Sequence, residues 1–134
     1  MQDERPSRGQ PEHVAAPEIV VDLQDALTGL AELWSPRIVA ETNGWHVELV
    51  KVAGAFVWHA HEVDELFLVL DGEIALELAD RPTVRLARGH VFVVPRTVRH
   101  RPVASGEAAL LLLEPGGVAN TGDADVTPAP ERWL

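Results

Sequence analysis

From residue 37 onward the chain is a succession of short β-rich runs cut at close intervals by turn residues, and this punctuation limits the fold more than any other feature. Runs at 37–41 and 45–52 flank Asn43-Gly44, a strong hairpin signal because both central residues of the turn must accept positive φ. A run at 56–61 follows Gly54, and runs at 66–70 and 73–78 flank Asp71-Gly72, a second hairpin signal of the same kind. Runs at 83–86, 91–94, 98–103 and 108–114 complete the series, separated by Gly89, Pro95 and Ser105-Gly106. About eight or nine short strands with no helix between them read as an antiparallel sandwich or barrel. No segment repeats at a period of about 20–50 residues, which excludes a solenoid or propeller.

The length of 134 residues suits one domain. Residues 1–18 mix Pro, Gly, Gln and charge without apolar periodicity and are expected to form a flexible tail. A single β-domain is expected over 19–117, with an N-terminal helix at about 22–34 whose Leu23, Leu27, Leu30 and Trp34 share one face. Asp22 is suited to cap that helix and Ser35-Pro36 to stop it. Residues 118–134 are expected to form a C-terminal extension that docks through Trp133-Leu134.

Composition narrows the partners. A net charge of −10 argues against nucleic acid and against an anionic membrane surface. The longest apolar run, 108–113, falls far short of the ~18 residues of a membrane helix. The polar start lacks the apolar region of a secretory signal, so a cytoplasmic location is expected. Residues 66–70 and 110–113 are apolar on both faces, as in strands buried on both sides. A small barrel buries only its inner face, so a homodimer is expected. The alternative is that the N-terminal helix and C-terminal tail cover the outer one.

The chemistry must come from a restricted set, because Cys and Tyr are both absent. That removes disulfides, thiolate nucleophiles, cysteine-ligated metal sites and phenolic acids or bases. Among six histidines, His59 and His61 form an HxH pair, and residues two apart on a strand point to one face. Glu65 follows at the start of the next run, and His100 arrives from beyond another hairpin. Three imidazoles and a carboxylate suit a divalent transition metal: Fe, Mn, Ni, Zn or Cu. On an octahedral ion four such ligands leave two positions open for chemistry.

The punctuation around these residues reads Gly54, His59-x-His61-x3-Glu65-x6-Gly72, then Gly89-x5-Pro95-x-Thr97-x2-His100. It resembles the two motifs of the cupin superfamily, a G…HxH…E…G stretch and a G…P…H stretch. The likeness is to the small single-domain cupins, often named after sugar-phosphate isomerases. It implies an all-β cupin barrel or jelly roll with one short N-terminal helix, and places His59, His61, Glu65 and His100 on the family's metal-ligand positions. The spacing from Gly54 to His59 is one residue short of the usual pattern. Thr97 stands where glycine is usual, and Ala104 where asparagine is frequent. Branches of the family that depend on tyrosine are poor matches for a chain without it, among them sugar epimerases, dimethylsulfoniopropionate lyases and many thiol dioxygenases.

The resulting expectation is a mononuclear metal-dependent enzyme acting on a small organic molecule, as an isomerase, a cyclase or a dioxygenase. The alternative is a non-catalytic ligand-binding or sensor module, which would share every motif. No catalytic residue beyond the ligands is assigned. His46 and Glu48 share a face, and Glu48 would be a candidate general base if that face were inward. The favoured reading turns them to solvent, with Val47 and Leu49 in the core. Arg81, Arg85, Arg88, Arg96, Arg99 and Arg101 crowd a stretch free of acids, which would suit an anionic substrate. Cross-strand pairing with acidic neighbours is the favoured explanation for them.

Overall fold

The computed structural model describes residues 20–134, so the expected tail at 1–18 lies outside the described residues. The elements in chain order are α1 (Leu23–Thr28), β1 (Arg37–Thr42), β2 (Trp45–Ala55), β3 (Glu65–Asp71), β4 (Glu73–Leu78), β5 (Val84–Ala87), β6 (Val91–Val94) and β7 (His100–Pro115). The long strand β7 organises the rest. It pairs antiparallel with β2 along almost its whole length, with β3 through its second half and with β4 through its first. Beyond these, β1 pairs with β2, β6 with β3 and β5 with β4, all antiparallel. The result is the expected cupin-type barrel.

Three local expectations are corrected. Ser105-Gly106 is not a turn: β7 runs straight through it. Val52 pairs with Ala108 and Gly54 with Ala104, so residues 105–107 are accommodated in a bulge. Such a bulge bends a strand and raises its twist, which lets one strand serve two sheet directions. Asp71-Gly72 is a corner and not a hairpin, because β3 and β4 each pair with β7 and not with one another. Gly72 has φ +76°, and a Cβ there would lie 2.9 Å from the Glu107 carbonyl oxygen, so only glycine lets the corner close on the bulge. Residues 56–61 form no regular strand; an isolated bridge between His59 and His100 ties them to the barrel, with the Phe56 amide donating to the Pro102 carbonyl and the Thr97 amide to the His61 carbonyl.

The helix is also shorter than 22–34. Asp22 caps it as expected, accepting from the Asp25 amide at 3.2 Å, but it ends at Thr28 with Gly29 as its C-cap. Gly29 weakens helix continuation by about 1 kcal/mol relative to Ala. Trp34 is drawn away by better contacts. At φ 60° it stacks on Phe56, with centroids 4.7 Å apart, and its Nε1 donates to the Ala53 carbonyl at 3.0 Å.

The inner core comprises Val50, Val52, Phe67, Val69, Leu76, Leu110 and neighbours. A second cluster lies outside the barrel wall, where Leu27 and Leu30 cover Leu49 and Ala109, with Leu70 and Leu111 packed against them. The N-terminal segment therefore covers part of the apolar outer face. Val91 and Val93 of β6 remain 57% and 45% exposed.

Candidate metal centre

The barrel brings together all four residues expected as ligands. His59, His61, Glu65 and His100 are each buried, and one donor atom from each lies within 4.8 Å of the others. Glu65 opens β3 and His100 opens β7, so both project from strand ends into one mouth of the barrel. His59 is held opposite His100 by a pair of backbone hydrogen bonds, and the His61 carbonyl accepts from the Thr97 amide at 2.7 Å. Thr97 has φ 68°, the left-handed region that glycine favours, at the position where the sequence motif usually has glycine. The HxH pair thus converges through a bridge and a loop, where strand alternation had been the expected cause.

The donor set fits a divalent metal. His59 Nδ1–H donates to the Val57 carbonyl and His100 Nδ1–H to the Val98 carbonyl, each at 2.8 Å, which leaves the Nε2 lone pairs free to ligate. His61 Nε2 lies 3.3 Å and His100 Nε2 3.6 Å from Glu65 Oε1. Donors about 2.1 Å from one ion at near-octahedral or tetrahedral angles would be separated by about 3.0–3.4 Å. His61 Nε2, His100 Nε2 and Glu65 Oε1 are buried with no hydrogen-bond partner. Buried polar atoms left so cost about 1–3 kcal/mol each, a penalty that an ion bound among them would remove. Burial pushes the Glu65 carboxyl up, but the His100 and His61 contacts outweigh it and hold it at about 2. Burial lowers His59 to about 4, against the Val57 bond, and repulsion from His100 and His61 adds to the fall. Both groups are therefore in their ligating forms at neutral pH.

A cavity of about 40 Å³ adjoins His59 and Glu65, walled by Trp34, Val52, Phe56, Phe67 and Leu110. A second, of about 30 Å³, shares Pro36 and Asn120 with it and is lined by Glu48, Glu114 and Glu131. This inner end corrects the expectation for His46 and Glu48. They are 7% and 6% exposed and face the interior with Val50 and Val52, while Leu49 is buried on the outer face beneath the N-terminal segment. Burial, with the charges of Glu65 and Glu131, raises Glu48 to about 7. Glu114, opposite His46 across β2 and β7, was not singled out from the sequence. Burial first, then the charges of Glu65 and Glu48, raise it to about 10. Its signal was available in the alternation Leu110, Leu112, Glu114, which continues the inward face of β7.

The arginines bear out the pairing explanation at one position. Arg101 Nε donates to Glu77 at 2.8 Å, and its guanidinium lies over the Trp58 ring. Neither interior cavity is lined by any of the six clustered arginines; Arg99 lines an outer groove beside His61.

Comparison with known proteins places this geometry. A family profile described as a cupin domain matches residues 45–116. A cupin-2 domain containing protein from Shewanella frigidimarina is 37% identical, with a TM-score of 0.69 over 72% of this chain and 94% of that one. An uncharacterized protein of Bacillus subtilis, YdbB, is 34% identical over 64 residues, and the match spans 47% of this chain and 57% of the length of that curated relative. Hydroquinone 1,2-dioxygenase from Sphingomonas sp. TTNP3, solved with 4-nitrophenol, shares the fold at 21% identity and a TM-score of 0.69, over 87% of this chain and 37% of that one. With its barrel, its buried His-His-Glu-His cluster and the matched profile, the chain belongs to the cupin-domain family.

Proposed function

We propose that this chain is a mononuclear metal-dependent enzyme that acts on a small organic molecule, with His59, His61, Glu65 and His100 as ligands. The observation that carries the reading is the set of buried, unpartnered donor atoms converging beside an apolar cavity. A bound divalent ion (Fe, Mn, Ni, Zn or Cu) would supply Lewis acidity at a carbonyl or hydroxyl oxygen of the substrate. The protein's own groups do the rest. Trp34, Phe56 and Phe67 exclude water and orient an apolar portion of the substrate. Glu48, pushed up to about 7, is suited to both taking and giving a proton near neutral pH, and Glu114 keeps its proton. Isomerase, cyclase and dioxygenase chemistry are all compatible with this set, and the likeness to hydroquinone 1,2-dioxygenase is one of fold. With Glu48 and Glu114 lining it and the clustered arginines outside, the interior favours a neutral substrate over an anion.

A homodimer in the cytoplasm is part of the same proposal. The location rests on the sequence. The dimer is supported by the apolar surface of β3 and β6, where Leu66 lies opposite Val93 and Leu68 opposite Val91.

The test is metal content per chain for the wild type and for a His59→Ala/His61→Ala variant, both purified without chelating resin. Near-stoichiometric metal that is lost in the variant is the expected result. Trace metal in both after loading would overturn the proposal.

A further inference from the structure

The C-terminal extension has no role in the proposal above, yet it reaches the metal cluster. Its ends are anchored on the β1–β2 side of the barrel. The Gly116 amide donates to Gly44, the Ile38 amide to the Arg132 carbonyl at 2.8 Å, and the Leu134 amide to the Ile38 carbonyl at 2.9 Å. Between those anchors the chain crosses the barrel mouth to Ala60, the residue between His59 and His61. There the Ala60 amide donates to Asp123 Oδ1 at 2.8 Å, and the Asp123 amide donates to the Ala60 carbonyl at 3.1 Å. Thr121, just before, is 4% exposed. Gly122 has φ 54°, and a Cβ there would clash with the Ala60 carbonyl oxygen and lie 3.0 Å from His59 Cδ2. Close approach to the backbone at 60 therefore requires glycine at 122.

These contacts complete a pattern. His59 is fixed through its amide and carbonyl to His100, and the His61 carbonyl is fixed to Thr97. Ala60 is the joint between them. Its two backbone groups are both met by Asp123, a residue distant in sequence. Rotation about the Ala60 dihedrals would swing one imidazole relative to the other, and metal affinity depends on such orientation.

We propose that residues 121–123 form a positioning clamp for the metal centre, in which Asp123 and Gly122 hold the Ala60 peptide and so set the separation of the His59 and His61 imidazoles. The inference rests on the metal-site reading above. Asp123 is a positioning residue: it acts through Ala60 and does not ligate.

The experiment measures Co²⁺ affinity by chelator competition, and the visible spectrum of the Co²⁺ protein, for wild type, Asp123→Ala and Asp123→Asn. Asn keeps an oxygen acceptor for the Ala60 amide and Ala does not. Asp123→Ala should bind Co²⁺ about ten-fold more weakly or worse, with an altered spectrum, while Asp123→Asn stays near wild type, in line with outer-shell effects of about 10–100-fold. The metal-free melting temperature should be nearly equal in all three, and hydrogen exchange at the Ala60 amide should quicken only in Asp123→Ala. Unchanged affinity and spectrum in Asp123→Ala, with wild type binding Co²⁺, would overturn the clamp and leave the metal site standing. Equal losses in Asp123→Ala and Asp123→Asn, or a matching collapse of the metal-free fold, would also overturn it. A wild type that binds no Co²⁺ overturns the metal-site reading, and the clamp with it.

Discussion

His59 and His100 exchange both backbone hydrogen bonds of an isolated antiparallel bridge, at 3.0 and 2.8 Å, and each donates its Nδ1–H to a carbonyl two residues earlier. The two rings are therefore oriented by backbone geometry, with no help from a ligand. With Glu65 anchored at the start of β3, most of the ordering needed for binding is already complete in the folded chain. Little conformational entropy remains to oppose capture of an ion.

Metal should stabilise the fold by mass action. At a free concentration of a thousand times Kd, a divalent ion that binds only the folded state adds about 4.1 kcal/mol. For a domain of this size the melting temperature should rise by on the order of 10 °C. His61→Ala removes one donor and should abolish most of that rise while leaving the metal-free melting temperature close to wild type. Calorimetry with and without Zn²⁺ on both proteins checks this; an equal rise in the two would mean that the ion binds elsewhere.

The outer face of β3 and β6 should mediate self-association. Val93 is 45% exposed and lies opposite Leu66, itself only part-buried. A stable dimer needs about 1,200 Å² or more of buried surface, and a charge at the centre of such a patch should abolish it. Light scattering on wild type and Val93→Glu should give dimer and monomer masses respectively. Monomer in both would leave the patch simply exposed.

What was legible in the sequence divides along local and non-local lines. The Asn43-Gly44 turn is local, and both residues do adopt positive φ, at 54° and 79°. His59, His61, Glu65 and His100 are readable as a set because their spacing matches a motif, although the HxH pair converges on a loop and not along a strand. The register of β2 against β7 is non-local. Without it, nothing said that Glu114 meets His46, or that Gly54 lies across from a bulge. Leu49 misled for the same reason. It is fully buried, but under the N-terminal segment, so its apolar character points the face carrying His46 and Glu48 the wrong way, outward. Trp34 fits the helical period and yet serves the barrel: the helix ends at Gly29, and Trp34 stacks on Phe56.

Backbone conformation predicts opposite signs at two positions. Gly72→Ala puts a Cβ at φ +76° against Glu107 and Ala108 of β7, and should destabilise by about 1–3 kcal/mol or more. Thr97, at φ 68°, is a β-branched residue in the same region, and Thr97→Gly should be neutral or stabilising by up to about 1 kcal/mol. Urea denaturation of both variants measures the difference. A Gly72→Ala protein as stable as wild type would refute the close approach of the corner to the bulge.

The buried titratable groups give the metal-free protein a pH-dependent stability in which each group acts with its own sign. Glu114 is raised to about 10, so the folded chain keeps a proton that the unfolded chain releases near pH 4.5. Stability should therefore fall as pH rises through that window, at no more than about 1.4 kcal/mol per pH unit for one proton. Glu48, raised to about 7, adds to the fall only below that pH. His59, lowered to about 4, acts the other way: stability rises with pH between about 4 and its ordinary value near 6.5. Glu65, held at about 2, acts only below its ordinary value. Between pH 7 and 10 the slope thus belongs to Glu114 alone among these four. Denaturation curves at pH 7, 8 and 9 in the presence of a chelator should show falling stability in the wild type and a much flatter profile in Glu114→Gln. Parallel profiles in the two proteins would mean that Glu114 does not hold its proton in the folded state.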